Sequence, residues 1–268
     1  MKTQLIITHR GSAHFDEVTA ISLILAVDKD SGFRIERREP LPAEIDDAAV
    51  WVVDTGKRYE PEKRNFDHHQ SPDCPATFVL IAEYLGLAGT LSIMPWWHFK
   101  DSVDRIGPVR ASVEYNAGDA LVNRNPVEDW LVDRFAAEPQ ASLPLLKSFG
   151  DHVIGDARRL KKQIDYWKTC RRLVIAGIPA MIGETSDSFG LEEFRRLEEN
   201  PPDIVISLDR QGEGWRLYRY EGAPVNFTVI AHCPEIEFAH NSGFMAKTRE
   251  RLTIEELISL VSKAVIRH

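Results

Sequence analysis

The chain has 268 residues, 43% hydrophobic and 28% charged, enough to bury a sizeable core and to divide into two domains of ordinary size. A formal net charge of -8 excludes a protein that coats nucleic acid by bulk electrostatics, though it leaves room for a local basic groove. The longest apolar runs, Val18 to Val27 and Leu257 to Val265, are too short or too interrupted to span a bilayer, and the opening "MKTQLIITHRG" lacks the apolar core of a signal peptide. A cytoplasmic protein with no membrane partner is expected. Cys74, Cys170 and Cys233 are widely spaced with no CxxC pair, so they read as reduced thiols.

In chain order, "QLIIT" is a strand, "HRGSAHFD" a polar turn and "EVTAISLILAVD" a helix. "FRIER" is a second strand. "AVWVVDTG" reads as a buried parallel strand whose C-terminal end opens into a loop at Asp54. "ATFVLIAEYLG" and Trp96 to Arg105 are helices, and residues 126 to 172 are helical, with "PVEDWLVDRF" starting on a proline and a long stripe from about Leu143. Further on, "RRLVIAGIPAMI", "DIVISL" and "WRLYRY" contain strands, "LEEFRRLEEN" is a helix stopped by the prolines at 201 and 202, and "TIEELISLVSKAVI" is a closing helix capped by Thr253 with Glu256 three residues on. This alternation predicts an α/β protein with a parallel sheet in its N-terminal domain, a helical connector and a smaller α/β C-terminal domain, with limits at 1–125, 126–172 and 173–268.

Ligands of open parallel sheets collect beyond the carboxyl ends of the strands, where His9 and Asp54 fall. His9, His14 and Asp16 share the first loop, and Asp67, His68 and His69 lie shortly beyond Asp54. Taken singly, each histidine reads as a hydrogen-bonded loop residue. Four of the nine histidines in two short loops, each beside an aspartate, instead form the donor set for Mn²⁺, Zn²⁺ or Mg²⁺. Neither a GxSxG elbow nor a GxxxxGK[ST] loop occurs. The segment from Arg158 to Arg172 carries seven basic residues against one acidic, with Tyr166 and Trp167 among them, a pattern suited to a phosphate backbone. Val153, Ala157, Leu160, Ile164 and Trp167 recur there at helical spacing, which equally describes a packed helix with a solvated basic face.

Four stretches, "THRGSAHFDE", "VVDTG", "RNFDHHQ" and "FAHNSGFMAKTRE", resemble in order and spacing the Myg-type (melanocyte proliferating gene) branch of the DHH phosphoesterase superfamily. The resemblance implies a two-lobed DHH-phosphoesterase-like fold and two divalent ions, usually Mn²⁺. By the same resemblance His9 and His14 hold the first ion, Asp16 and His68 the second, and Asp54 bridges them. "DSVDRIG" resembles a segment of Myg relatives that supplies a further carboxylate, which points to Asp104, with Asp101 and Asp119 as competitors. His69 would face the substrate phosphate or leaving oxygen while Asp67 orients a neighbouring ring, and Arg10 and Lys57 could neutralise phosphate oxygens. His240, Ser242, Gly243 and Lys247 are assigned to substrate binding; otherwise they form a turn preceding a helix. From His240 onward basic residues exceed acidic by two, which suits an anionic ligand.

The activity that the resemblance implies is metal-dependent phosphodiester hydrolysis, a 3′-to-5′ exonuclease acting on RNA or short single-stranded oligonucleotides. A small-molecule phosphatase or pyrophosphatase on the same scaffold, or a non-catalytic nucleotide- or metal-sensing module, are the alternatives.

Overall fold

The computed structural model describes residues 3–117 and 125–266. By their contacts they form two compact units, Met1–Arg159 and Leu160–His268, so the helical stretch 126–172 is divided between them.

The first unit is built on five strands, β1 (Thr3–Thr8), β2 (Gly32–Arg37), β3 (Val50–Val53), β4 (Tyr59–Glu60) and β5 (Asn65–Phe66), in the order β2-β1-β3-β5-β4. β1, β2, β3 and β5 are mutually parallel, and β4 closes the edge antiparallel to β5. Between β1 and β2 runs α1 (Phe15–Val27), in which every residue from Asp16 to Ala26 is buried; an apolar helix without a polar face packs on all sides. The chain then visits α2 (Pro42–Ile45), α3 (Thr77–Tyr84), α4 (Ala88–Leu91), α5 (Trp97–Ile106), α6 (Pro108–Glu114) and α7 (Pro126–Ala137) before the long α8 (Leu143–Thr169). α7 begins on its proline behind an asparagine cap, with Asn125 Oδ1 accepting the N–H of Val127 and Glu128. α1 and α8 approach so closely that a Cβ on Gly150 would stand 2.0 Å from the carbonyl oxygen of Ser22.

Strand order reverses at β1, whose neighbours β2 and β3 lie on opposite sides, and such a switch point opens a crevice at the carboxyl edge. Register then does the placing. Thr8 pairs with Arg37 and with Val53, and Val53 with Phe66. The residues that follow, His9, Asp54 and Asp67, therefore emerge side by side from three adjacent strands. β4 and β5, only two residues each, were not foreseen in the sequence, because a pair so short carries no alternation to read.

The second unit is a six-stranded sheet, in the order β10-β11-β9-β8-β7-β6, of β6 (Arg171–Ile175), β7 (Ile178–Gly183), β8 (Ile204–Leu208), β9 (Trp215–Arg219), β10 (Ile236–Ala239) and β11 (Met245–Thr248). Only β7 and β8 are parallel. β6 and β7 form a hairpin whose two turn residues, Ala176 and Gly177, both have positive φ, the signature of a tight turn that matches strand twist. α9 (Leu191–Leu197) and α10 (Ile254–Lys263) complete it, the latter with the expected Thr253–Glu256 capping box. Ile204, Ile206, Leu217, Phe227, Leu257 and Val261 lie in one core. The parallel N-terminal sheet and the strand-rich C-terminal region are those expected from the sequence. Val153, Ala157, Leu160, Ile164 and Trp167 are all buried, so the stripe along α8 is a packing face. No helix among the described residues is long and apolar enough to cross a membrane.

Candidate metal centre

Asp54 is the hub. It follows β3 with φ 56°, a left-handed conformation that aspartate tolerates better than most residues. Its backbone N–H is held by the Phe66 carbonyl. The two carboxylate oxygens face different neighbours: Oδ2 lies 3.5 Å from His9 Nε2, whereas Oδ1 lies 3.5 Å from His68 Nε2 and 3.6 Å from His69 Nδ1. Among the described residues three sets of donors result, His9 with His14 and Asp54, Asp54 with His68 and His69, and Asp16 with His68 and Asp104, each with its donor atoms within 4.8 Å of one another.

Asp16 belongs to the first turn of α1 yet is gripped by another helix. Its Oδ2 and Oδ1 accept the N–H groups of Thr77 and Phe78, at 2.9 and 2.6 Å, from the N-terminus of α3. Burial, and then the charges of Asp54 and Asp104, push its carboxyl well above the usual range. Asp54 is also raised, by burial in the first place, against the opposing effect of His9. Asp67 behaves differently: burial works to raise it, but hydrogen bonds from the His69 backbone and ring and from the Lys57 N–H outweigh that and hold it below the usual range. Burial works to lower His68, and the Asp104 carboxylate, 2.8 Å from its Nε2, reverses the sign. His14 precedes α1 and is exposed, its ring 5.3 Å from that of His9.

Glu17 is the residue that sequence reasoning missed. It is wholly buried and touches Thr8 Oγ1 at 2.8 Å, Arg37 Nη2 at 3.2 Å and His9 Nε2 at 2.5 Å. Its letter was in view inside "THRGSAHFDE". An acid in the first turn of a helix is what a cap requires anyway, and its carboxylate does approach the N–H of His14, so nothing in the sequence separates the two roles.

The donor set fits divalent ions on two observations. Asp16, Glu17, Asp54 and Asp67 are no more than 2% exposed, and of these only Glu17 meets an arginine; clustered buried carboxylates of this kind are stable only when protonated or neutralised by a cation. His9 donates Nδ1–H to the Arg10 carbonyl, which leaves its buried Nε2 facing Glu17 and Asp54. In the metal-free protein those carboxylates hold a proton on Nε2, a place that a divalent ion could take instead.

Of the remaining sequence candidates, Arg10 and Lys57 are exposed in the same two loops. His69 is held by Asp67, its Nδ1 at 2.8 Å and its backbone N–H at 2.9 Å from Oδ1. Asp101 points to structure, accepting the Ala76 N–H and pairing with Arg105, and Asp119 lies outside the described residues. In the second unit His240, Ser242 and Gly243 form the turn joining β10 to β11; the helix they would otherwise precede begins only at Ile254. His240 Nδ1 lies 2.8 Å from Ser242 Oγ. Gly243 has φ 69°, and a Cβ there would collide with Asn226 Oδ1, so glycine is required. Lys247 is engaged by Asp209 at 2.9 Å and by Gln211.

Fold and site together define an α/β chain with a histidine–carboxylate cluster at the carboxyl edge of a parallel sheet. Its sequence supplies the family likeness: residues 5–75 match the model MYG1_exonuc, described as Uncharacterised protein family (UPF0160), which bears out the Myg-type resemblance over the stretch that carries most of the cluster. The MYG1 protein of Chlamydia trachomatis is 41% identical over 64 residues, and that of Chlamydia muridarum 44% over 66, in each case 24% of this chain and 21% of the relative. The matched stretch thus spans about a fifth of those relatives' length. Among solved structures, an uncharacterized protein from Helicobacter pylori aligns at 11% identity and TM-score 0.26, covering 98% of this chain and 99% of that one. RecJ in complex with Mn²⁺ from Thermus thermophilus aligns at 13% identity and TM-score 0.27, covering 98% and 53%.

Proposed function

We propose that the protein is a metal-dependent phosphoesterase with two divalent ions, an exonuclease acting on RNA or short single-stranded oligonucleotides. The observation that carries this reading is the division of Asp54, one oxygen toward His9 and the other toward His68, as a bridging carboxylate requires. His9, His14 and Asp54 would hold one ion, and Asp16, His68, Asp104 and Asp54 the other. Such ions, Mn²⁺ by resemblance and Mg²⁺ or Zn²⁺ by donor chemistry, supply water activation near neutral pH and neutralise charge on the phosphoryl oxygens.

The chain's own groups do the rest. Asp67 accepts from the ring and backbone of His69 and fixes that ring at the mouth of the site, half-exposed, with Nε2 turned away from the Asp67 bond. From there His69 can give a proton to the leaving oxygen. Glu17 orients His9, Arg10 and Lys57 face an approaching phosphate, and His240, Ser242, Gly243 and Lys247 are retained as substrate-binding residues on the strength of the motif. The deciding experiment incubates the full chain with labelled RNA, single-stranded DNA and pyrophosphate, each with Mn²⁺, Mg²⁺ or Zn²⁺. Shortening of the oligonucleotides from one end, lost in Asp54→Asn, supports the proposal. Cleavage of pyrophosphate alone moves it to a small-molecule hydrolase, and tight metal binding without turnover of any substrate to a sensor.

A further inference from the structure

A cavity stands beside the metal centre in the first unit. It has a volume of about 490 Å³, within the range of about 300–1,000 Å³ usual for small-molecule sites. Phe15, Trp96, Phe149 and Trp130 line it together with aliphatic side chains such as Leu131 and Leu145. Phe15 meets Trp96 and Phe149 edge-on, with ring centroids 5.8 and 6.2 Å apart. Trp130 lies at the rim, 56% exposed.

The cavity and the metal cluster share a scaffold. Phe15 and Asp16 are consecutive on α1, one turned to the cavity and the other to the cluster. Lys100 and Asp104 are one turn apart on α5 and divide in the same way. A neighbouring hollow lined by His14, Asp16 and Asp104 has Phe15, Lys100 and Glu128 in common with the aromatic cavity. At that shared boundary Lys100 Nζ lies 2.5 and 2.6 Å from the Glu128 oxygens and 4.8 Å from the Phe15 ring centroid.

We propose that the aromatic cavity bounded by Phe15, Trp96, Trp130 and Phe149 holds the nucleobase of the nucleotide whose phosphate reaches the metal centre. The inference rests on the phosphoesterase reading and adds the part of the substrate that the cluster itself does not touch. Four aromatic side chains in one cavity favour a planar ring, and the polar groups of His152 and Asp156 at the lining offer partners to the edge of a heterocycle, which an alkyl chain would leave unused. Lys100, paired with Glu128, lines both the cavity and the hollow that reaches Asp16 and Asp104. Because every base has a π-face, the site would be tolerant of sequence, as an exonuclease requires.

The test is calorimetric titration of the full chain with adenosine, uridine and ribose, beside hydrolysis of a dinucleotide and of the same diester lacking its bases. Adenosine and uridine should bind and ribose should not. Trp130→Ala, a rim substitution that leaves the core intact, should weaken nucleoside binding by about 5- to 150-fold. It should raise KM for the dinucleotide and leave cleavage of the base-free diester unchanged. Phe149→Leu serves as a second variant, checked for folding by its thermal midpoint. Equal binding of ribose and nucleosides, no effect of either variant, or competition by an alkyl phosphate in place of nucleosides would overturn the proposal. Dinucleotide cleavage without nucleoside binding would refute this subsite and spare the phosphoesterase reading, whereas nucleoside binding with no phosphoester cleaved would refute the phosphoesterase reading and leave the cavity a nucleoside site unconnected to hydrolysis.

Discussion

Asp104 reaches His68, with 2.8 Å between Oδ2 and Nε2, while Asp101 one turn earlier on the same helix accepts the Ala76 N–H and pairs with Arg105. Two aspartates that look alike in "DSVDRIG" therefore face different tasks. Asp104→Asn should abolish or strongly reduce metal-dependent hydrolysis and leave the thermal midpoint of the metal-free protein near that of the wild type. Asp101→Ala should keep the activity and cost about 0.5–2 kcal/mol, as loss of a helix-terminal acceptor does. Paired activity and melting measurements on the two variants decide it.

Metal should stabilise the fold and should matter more as pH rises. In the metal-free protein His9 is pushed up to about 10, chiefly by the Asp54 carboxylate and then by Glu17, and Asp16 and Asp54 are raised by burial. Groups raised in the folded state contribute stability that is complete below their unfolded values and is lost as pH climbs through the folded ones. For His9 that window runs from 6.5 to about 10. Denaturant midpoints of the metal-free protein should thus fall across it. Mn²⁺ at about 100 times its Kd should restore about 2.7 kcal/mol, and Kd should tighten with pH because the ion and the His9 proton compete for Nε2. A metal-free midpoint that climbed over this window would contradict the assignment.

Replacing Asp54 by asparagine should have opposite effects on stability and function. Asparagine accepts the positive φ, keeps the shape and removes one of the mutually repelling buried carboxylates. The metal-free variant should melt at or above the wild-type temperature, with no further rise on adding Mn²⁺ and no hydrolysis. Differential scanning calorimetry with and without the ion checks this.

Glu17→Gln should act through His9. Glutamine can still accept from Arg37 through Oε1, with its amide nitrogen facing Thr8 Oγ1 in place of Oε2, so the fold should survive, but the imidazole loses an anionic neighbour. Metal affinity should drop about 10- to 100-fold, the usual effect of removing a group that orients a ligand. Glu17→Ala would instead strand Arg37, only 9% exposed, and should cost about 3–5 kcal/mol. Metal titration and urea unfolding separate the two effects.

Gly150→Ala tests packing alone. Its Cβ would meet the Ser22 carbonyl oxygen at 2.0 Å, so α1 and α8 must part, at a cost of about 1–3 kcal/mol or more. An unchanged unfolding midpoint would show that the helices have room the close approach denies.

The main elements were legible in the chain because each had a local cause: the apolar runs of β1 and β3, the proline start of α7, the Thr253–Glu256 box of α10. The histidine and aspartate letters at the ends of β1, β3 and β5 likewise announced a donor set. What only tertiary structure decided was which of them meet. Strand register aligned His9, Asp54 and Asp67. The N-terminus of α3, 61 and 62 residues away in sequence, gripped Asp16. Only packing of α5 set Asp104 apart from Asp101, and only burial turned Glu17 from a helix-start residue into the partner of His9 and Arg37. Propensity and capping act over a few residues and leave their mark in sequence; the meeting of side chains from distant segments depends on register and close packing, which no short stretch of sequence records.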